Sequence, residues 1–284
     1  MRYIPSWPYC TKLLYIVYLI KLLALLLFTA VTALSHSDWK LIWSDEFNGP
    51  RNTLPDSSKW TFDLGGGGFG NRELETYTNN LDNISQDGEG HLEIRALKTP
   101  SGAFTSARIK TQGKFEVTHG KIEARIKIPS GQGIWPAFWM LGNDIAKVGW
   151  PRCGEIDIME NIGKEPSIVH GTVHGPGYSG KAGITAQFAL PGTSALSAEF
   201  HIYSALWSPD SITFFLDDTA YATVTPATLP KGAKWVFNHP FFLLLNLAVG
   251  GAWPGNPDQT SVFPQTMLVD WVHVSAKLNP THSQ

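Results

Sequence analysis

An all-β fold, an antiparallel β-sandwich, is predicted by three features of this sequence. Apolar and polar residues alternate with period two along most of the chain after Ser35, as in strands buried on one face. The 27 glycines and 19 prolines fall, with Asn and Asp, between those runs and break them into short strands. Helical spacing is confined to one short stretch, Thr193 to Phe200. With 12% aromatic and 16% charged residues the chain can fill a core, which excludes intrinsic disorder. A formal charge of −2 leaves no basic surplus for nucleic acid.

The elements follow in order. From Leu13 to Leu34 the sole charge is Lys21. Arg2 and Lys12 form a positive flank, Leu22 to Thr29 an apolar stretch, and Val31-Thr32-Ala33 a small-residue cleavage pattern, so residues 1–33 read as a secretory signal cut near Ala33. An uncleaved membrane anchor is the competing reading, since 22 residues can cross a bilayer core of ~30 Å. Lys21 in mid-run weighs against the anchor. Cleavage removes Cys10 and leaves Cys153 alone, so neither a disulfide framework nor a Cys-based zinc site is available. Residues 35–284 then form one domain, without linker or repeat.

Within it, Trp39 to Trp43 reads as the first strand and Met267 to Lys277 as the last, and as neighbours these two would close the sandwich. Ile122, Ala124, Ile126 and Ile128 alternate with Lys121, Glu123, Arg125 and Lys127, a strand with one buried face. Ser211 to Val224 reads as a hairpin turning at Asp217-Asp218, and Phe241 to Val249 as a strand covered on both sides.

Chemistry concentrates in Gly154-Glu155-Ile156-Asp157-Ile158-Met159-Glu160. Strand alternation puts Glu155 and Asp157 on one face and throws Glu160 to the other. One extra residue, a β-bulge between Asp157 and Glu160, returns Glu160 to the first face and lets Ile156 and Ile158 face the core. Four strand steps of ~3.3 Å span about 13 Å, and two inward-leaning glutamates close that to roughly 5–6 Å, the spacing of retaining rather than inverting glycosidases. Asp157 between them can share a proton with the nucleophile and raise a neighbour's proton affinity. A solvated acidic strand or a calcium-binding acidic ladder is the alternative. The bulge-requiring spacing and the tryptophans on both sides favour catalysis.

At these residues the chain resembles glycoside hydrolase family 16, in particular its laminarinase-like endo-β-1,3-glucanases. The likeness runs from Trp43-Ser44-Asp45-Glu46-Phe47 to Asp270-Trp271-Val272. It includes Gly133-Ile134-Trp135-Pro136-Ala137-Phe138-Trp139-Met140-Leu141, Gly171-Thr172-Val173-His174-Gly175 and Gly250-Gly251-Ala252-Trp253-Pro254-Gly255. The resemblance implies a jelly roll whose concave sheet forms a polysaccharide cleft, with Glu155 as nucleophile, Glu160 as general acid/base and Asp157 assisting. It implies a monomer that cleaves β-glucan without a cofactor, a protein partner or nucleic acid. Mixed-linkage glucan, agar or carrageenan hydrolysis, and a non-catalytic glucan-binding module, are the alternatives it leaves.

The same resemblance places Trp135, Trp139, Trp150 and Trp253 against sugar rings, where indole faces stack and Nε1–H donates to hydroxyls. Asn71 and Glu73, after the glycine-rich Gly65 to Gly68, fall at the cleft, as does Arg108, for which a surface ion pair is the alternative. Relatives usually carry Gln where this chain has Glu75. His174 would bond Asp157 or the sugar. Cys153 should share Glu155's face and has no role beyond packing. A structural calcium on the convex side is implied at Glu46 and Asp270, with carbonyls of Gly88 or Gly90. Asn83-Ile84-Ser85 matches a glycosylation triplet.

Overall fold

The computed structural model describes residues 39–192 and 194–278. The segment read as a secretory signal, with Cys10, and Thr193 lie outside the described residues. The strands are β1 (Trp39–Asp45), β2 (Thr61–Phe62), β3 (Glu75–Tyr77), β4 (Ile84–Gln86), β5 (Leu92–Lys98) and β6 (Phe104–Ser106). Then come β7 (Arg108–Lys110), β8 (Gly120–Lys127), β9 (Ile134–Gly142), β10 (Glu155–Glu160), β11 (Ile168–His174) and β12 (Ile184–Ala189). The last are β13 (His201–Ser208), β14 (Ser211–Leu216), β15 (Thr219–Val224), β16 (Phe241–Val249) and β17 (Gln265–Lys277).

Two sheets face each other. One runs β15-β14-β13-β8-β17-β5-β6-β3, with β1 added on β17 and β4 on β5; the other runs β12-β11-β10-β9-β16-β7-β2. The chain's first and last described strands do pair, Trp39 opposite Lys277. Antiparallel pairing prevails, and the exception is the short parallel contact of β3 with β6. Side-chain alternation fills the space between the sheets. Ile122, Ala124 and Ile126 of β8 meet Phe241, Leu243, Leu245, Leu247 and Val249 of β16 in one core. The intervening β16 residues point to the opposite face, where Phe242 and Leu244 pack with Leu141 and Cys153. Every residue of β16 is buried, as its unbroken apolar run predicts.

The expected hairpin is present as β14 and β15, its turn made by Asp217 at φ 52°. The helix expected at Thr193 to Phe200 is not: residues 194–200 form turns and bends. A stretch that short cannot repay helix nucleation without an apolar face to dock. A single-turn helix, α1 (Ile145–Val148), stands instead in the loop before β10. Asn83 is 2% exposed and donates to Arg95 O and Thr105 Oγ1, so the glycosylation triplet presents no accessible acceptor.

Candidate active site

The register of β10 carries the predicted bulge. Glu155, Asp157 and Glu160 lie opposite Leu141, Trp139 and Ala137 of β9, and opposite His174, Thr172 and His170 of β11. Three steps along β10 are therefore matched by two on each neighbour. Ile156, Ile158 and Met159 turn into the core, all fully buried. The three acids consequently share the face away from the core, together with Trp139 on one neighbour and His174 and Thr172 on the other.

Each glutamate receives an indole N–H. Trp150 Nε1 donates to Glu155 Oε2 at 3.0 Å, and Trp135 Nε1 donates to Glu160 Oε1 at 3.1 Å. Trp150 is 46% exposed and Trp253 36%, open enough to meet a ligand. Trp253 stands edge-on to Trp135 and to His170, 5.5 and 4.8 Å between ring centres. Trp139 is held from behind, its Nε1 donating to Asn246 Oδ1 at 2.7 Å. His174 Nε2 sits 3.3 Å from Asp157 Oδ2 and 3.6 Å from Glu155 Oε1, on the acid the sequence assigned to it.

Burial sets the proton inventory. Asp157, 4% exposed, is pushed well above the usual carboxylate range by desolvation. Glu155 is raised by burial and then by Asp157, against the pull of His174 and the Trp150 bond. Burial and Asp157 raise Glu160 to about 8, opposed by His174, Trp135 and Thr172. Three close acids in low dielectric cannot all ionise. Both glutamates have an indole donor, but only Glu155 has His174 Nε2 within 3.6 Å, so charge is best supported there. Burial favours the proton on Asp157, and Glu160, at about 8, keeps its own at neutral pH. An ionised acid beside a protonated one is the division of labour of a retaining glycosidase.

The remaining predicted residues fall around this centre. Asn71 Nδ2 donates to Glu73 Oε1 at 3.0 Å, on a loop whose Gly65, Gly67, Gly68 and Gly70 all adopt positive φ. The left-handed backbone, rather than close packing, is what those glycines supply, since Gly65, Gly67 and Gly70 have open space where a Cβ would be. Arg108 satisfies both of its readings. It pairs with Asp63 at 2.9 Å and its guanidinium lies 4.7 Å from the Trp139 ring centre and 4.9 Å from that of Phe69. Cys153 packs fully buried on Glu155's side of the sheet, its thiol pushed up to about 11 by burial first and Glu155 second, so it is unreactive.

Two residues escaped the sequence reading. Thr172 bonds Glu160 and also donates to Thr185 Oγ1 at 3.1 Å; it lies two residues before His174, so strand alternation from that histidine points to it. Asn246, which orients Trp139, is the one polar residue in the run from Phe241 to Val249. Among the described residues, the His/Cys/Asp/Glu group close enough to hold a metal is Glu155, Asp157 and His174, which overlaps the three-acid centre. The carboxylates implied as calcium ligands each have one partner within the protein. Glu46 is bonded to His273 at 2.7 Å and Asp270 to Arg125 at 2.5 Å, so both carboxylates are already paired.

Comparison with known proteins agrees with this geometry. The profile of glycosyl hydrolases family 16 matches residues 71–273. A β-glucanase of Rhodothermus marinus is 41% identical over 83% of this chain and 85% of its own length. A glucan endo-1,3-β-glucosidase of Cryptopygus antarcticus is 39% identical, covering 79% of this chain and 86% of its own. The laminarinase catalytic domain of Thermotoga maritima superposes with a TM-score of 0.80 at 47% identity, over 86% of this chain and 100% of that one.

Proposed function

The chain belongs to glycosyl hydrolases family 16, and on that footing we propose that it cleaves internal β-1,3 bonds of laminarin-like glucans by a retaining double displacement. It is a glycoside hydrolase, an endo-β-glucanase, and as such needs no cofactor for catalysis. Glu155 attacks the anomeric carbon while Glu160 gives its proton to the departing glycosidic oxygen. The resulting glycosyl ester on Glu155 is opened by water, from which Glu160, now a carboxylate, takes a proton. Asp157 hands Glu155 a hydrogen bond that stabilises the carboxylate each time it is released.

One observation carries this reading. The bulge in β10 gathers Glu155, Asp157 and Glu160 on a single face between partly exposed tryptophans. A non-catalytic glucan-binding module would have no use for a proton held on Glu160 beside a charge held on Glu155. The test is reducing-sugar release from laminarin, lichenan and agarose in parallel, with the first product anomer read by NMR. Laminarin is the expected best substrate and the β-anomer the first product. No release from laminarin, or an α-anomer first, would sink the proposal.

The enzyme works outside the cytoplasm in this proposal, as a monomer released by cleavage near Ala33. N-terminal sequencing of the exported protein checks the cleavage. Catalysis in this proposal uses no calcium; a structural ion at Glu46 and Asp270 would compete with His273 and Arg125 for one oxygen of each carboxylate.

A further inference from the structure

Glu75, at the start of β3, is 1% exposed. Its Oε2 accepts the Val249 backbone N–H at 2.6 Å, but its Oε1 is buried with no donor in reach. The polar group it faces there is a second carboxyl, that of Glu73. Two ionised carboxylates cannot share such a contact. A single proton between them turns repulsion into a short charge-assisted bond. Glu73 is the better place for the charge, since Asn71 Nδ2 donates to one of its oxygens at 3.0 Å and the Tyr77 hydroxyl to the other at 2.9 Å. The proton therefore rests on Glu75.

This pair joins the two loops that border the cleft. Leu74 N donates to Val249 O and Ala252 N to Asn71 O, both at 2.8 Å, fastening the Asn71 loop to the segment that carries Trp253. Tyr77 takes a hydrogen bond from Asn246 Nδ2 at 3.2 Å, and the same Asn246 holds Trp139. We propose that Glu75, kept as a neutral acid donating to Glu73, is a positioning residue that presents Asn71 and Glu73 to the hydroxyls of the bound glucan. The inference rests on the glucanase reading above.

Loss of that proton to solvent leaves two facing carboxylates, which push the Asn71 loop out of register with the sugar. Burial first, and Glu73 second, raise Glu75 to about 8, so the loss falls in an accessible range. The other groups bearing on the pair are the Tyr77 phenol, held neutral chiefly by burial, and Arg108 of β7, itself tied to Asp63. β16 contributes the uncharged Asn246 and the Val249 amide.

The experiment is KM and kcat on laminarin from pH 6 to 9 for the wild type and Glu75→Gln. Gln keeps an acceptor for Val249 and a donor for Glu73 and has no proton to lose. With Glu75 at about 8, the competent fraction drops about tenfold from pH 7 to 9, so wild-type KM rises roughly tenfold. The KM of E75Q stays flat, while both enzymes share any alkaline fall in kcat that Glu160 imposes. Parallel KM profiles would overturn the inference. Should E75Q fail to fold, calorimetric binding of a laminari-oligosaccharide to Glu155→Gln decides, expected to weaken at pH 9 and contrary to the inference if unchanged. Absence of wild-type hydrolysis at pH 7 is a different result, and defeats the glucanase reading instead.

Discussion

Glu160 must give up a proton in the first half of the reaction and take one back in the second, and its surroundings set the pH at which it can. Burial and Asp157 hold it to about 8, so kcat/KM should fall along an alkaline limb near that pH, with Glu160→Gln removing roughly 10²–10⁴-fold of turnover. Glu155→Gln should be as damaging, because no glycosyl ester can form, and Asp157→Asn less so. Both glutamine variants should still bind oligosaccharide, measured by calorimetry. The same shift has a cost in stability, and its sign is fixed. Below the unfolded value of 4.5 both states carry the proton and nothing is lost. Above it the unfolded chain ionises while the folded site resists, so stability declines with pH until about 8. Glu160→Gln should therefore melt a few degrees above the wild type at pH 7, and level with it near pH 4, in a calorimetric scan. A variant that melts lower at pH 7 would contradict the proton inventory.

At the scale of elements, the bulge in β10 does what no single side chain can. Regular alternation predicts Glu160 on the core side, and the three-acid spacing makes sense only with one residue too many; that residue count is visible in the sequence. Deleting Met159 would leave Glu-Ile-Asp-Ile-Glu, in which plain alternation keeps all three acids on the cleft face, so the variant should retain hydrolysis while melting several degrees lower through loss of the fully buried Met159 side chain. A deletion variant that folds but shows no hydrolysis in the reducing-sugar assay would mean that the bulge itself, and not merely the shared face, sets the spacing of the acids. Strands with clear period two, such as β8, and the apolar run of β16 were legible for the same reason: one residue's face fixes its neighbours'. Contacts between strands were not. Nothing local says that Thr172 reaches Glu160, that Asn246 reaches Trp139, or that β3 runs parallel to β6. The helical reading of residues 193–200 failed because spacing alone does not supply a surface to dock against.

For the whole molecule, the question is whether closing the sandwich needs anything besides its own chain. β17 is bordered by β8 on one edge and by β5 and then β1 on the other, so backbone pairing holds the strand on either side of Asp270, which falls at a bulge against β8. Around it, Asp45 accepts from the Trp60 indole at 2.7 Å and from Lys59 at 3.2 Å, and Glu46 and Asp270 are matched by His273 and Arg125. A calcium at Glu46 and Asp270 would compete with both of those partners, each of which holds one oxygen of its carboxylate. If it did bind, saturation a hundredfold above its dissociation constant would add about 2.7 kcal/mol. At roughly 2–4 °C per kcal/mol for a domain of this size, that is a rise of at least several degrees. With His273 and Arg125 retained as the partners of Glu46 and Asp270, the expected outcome is the opposite: melting in EDTA and in excess calcium coincides within about a degree.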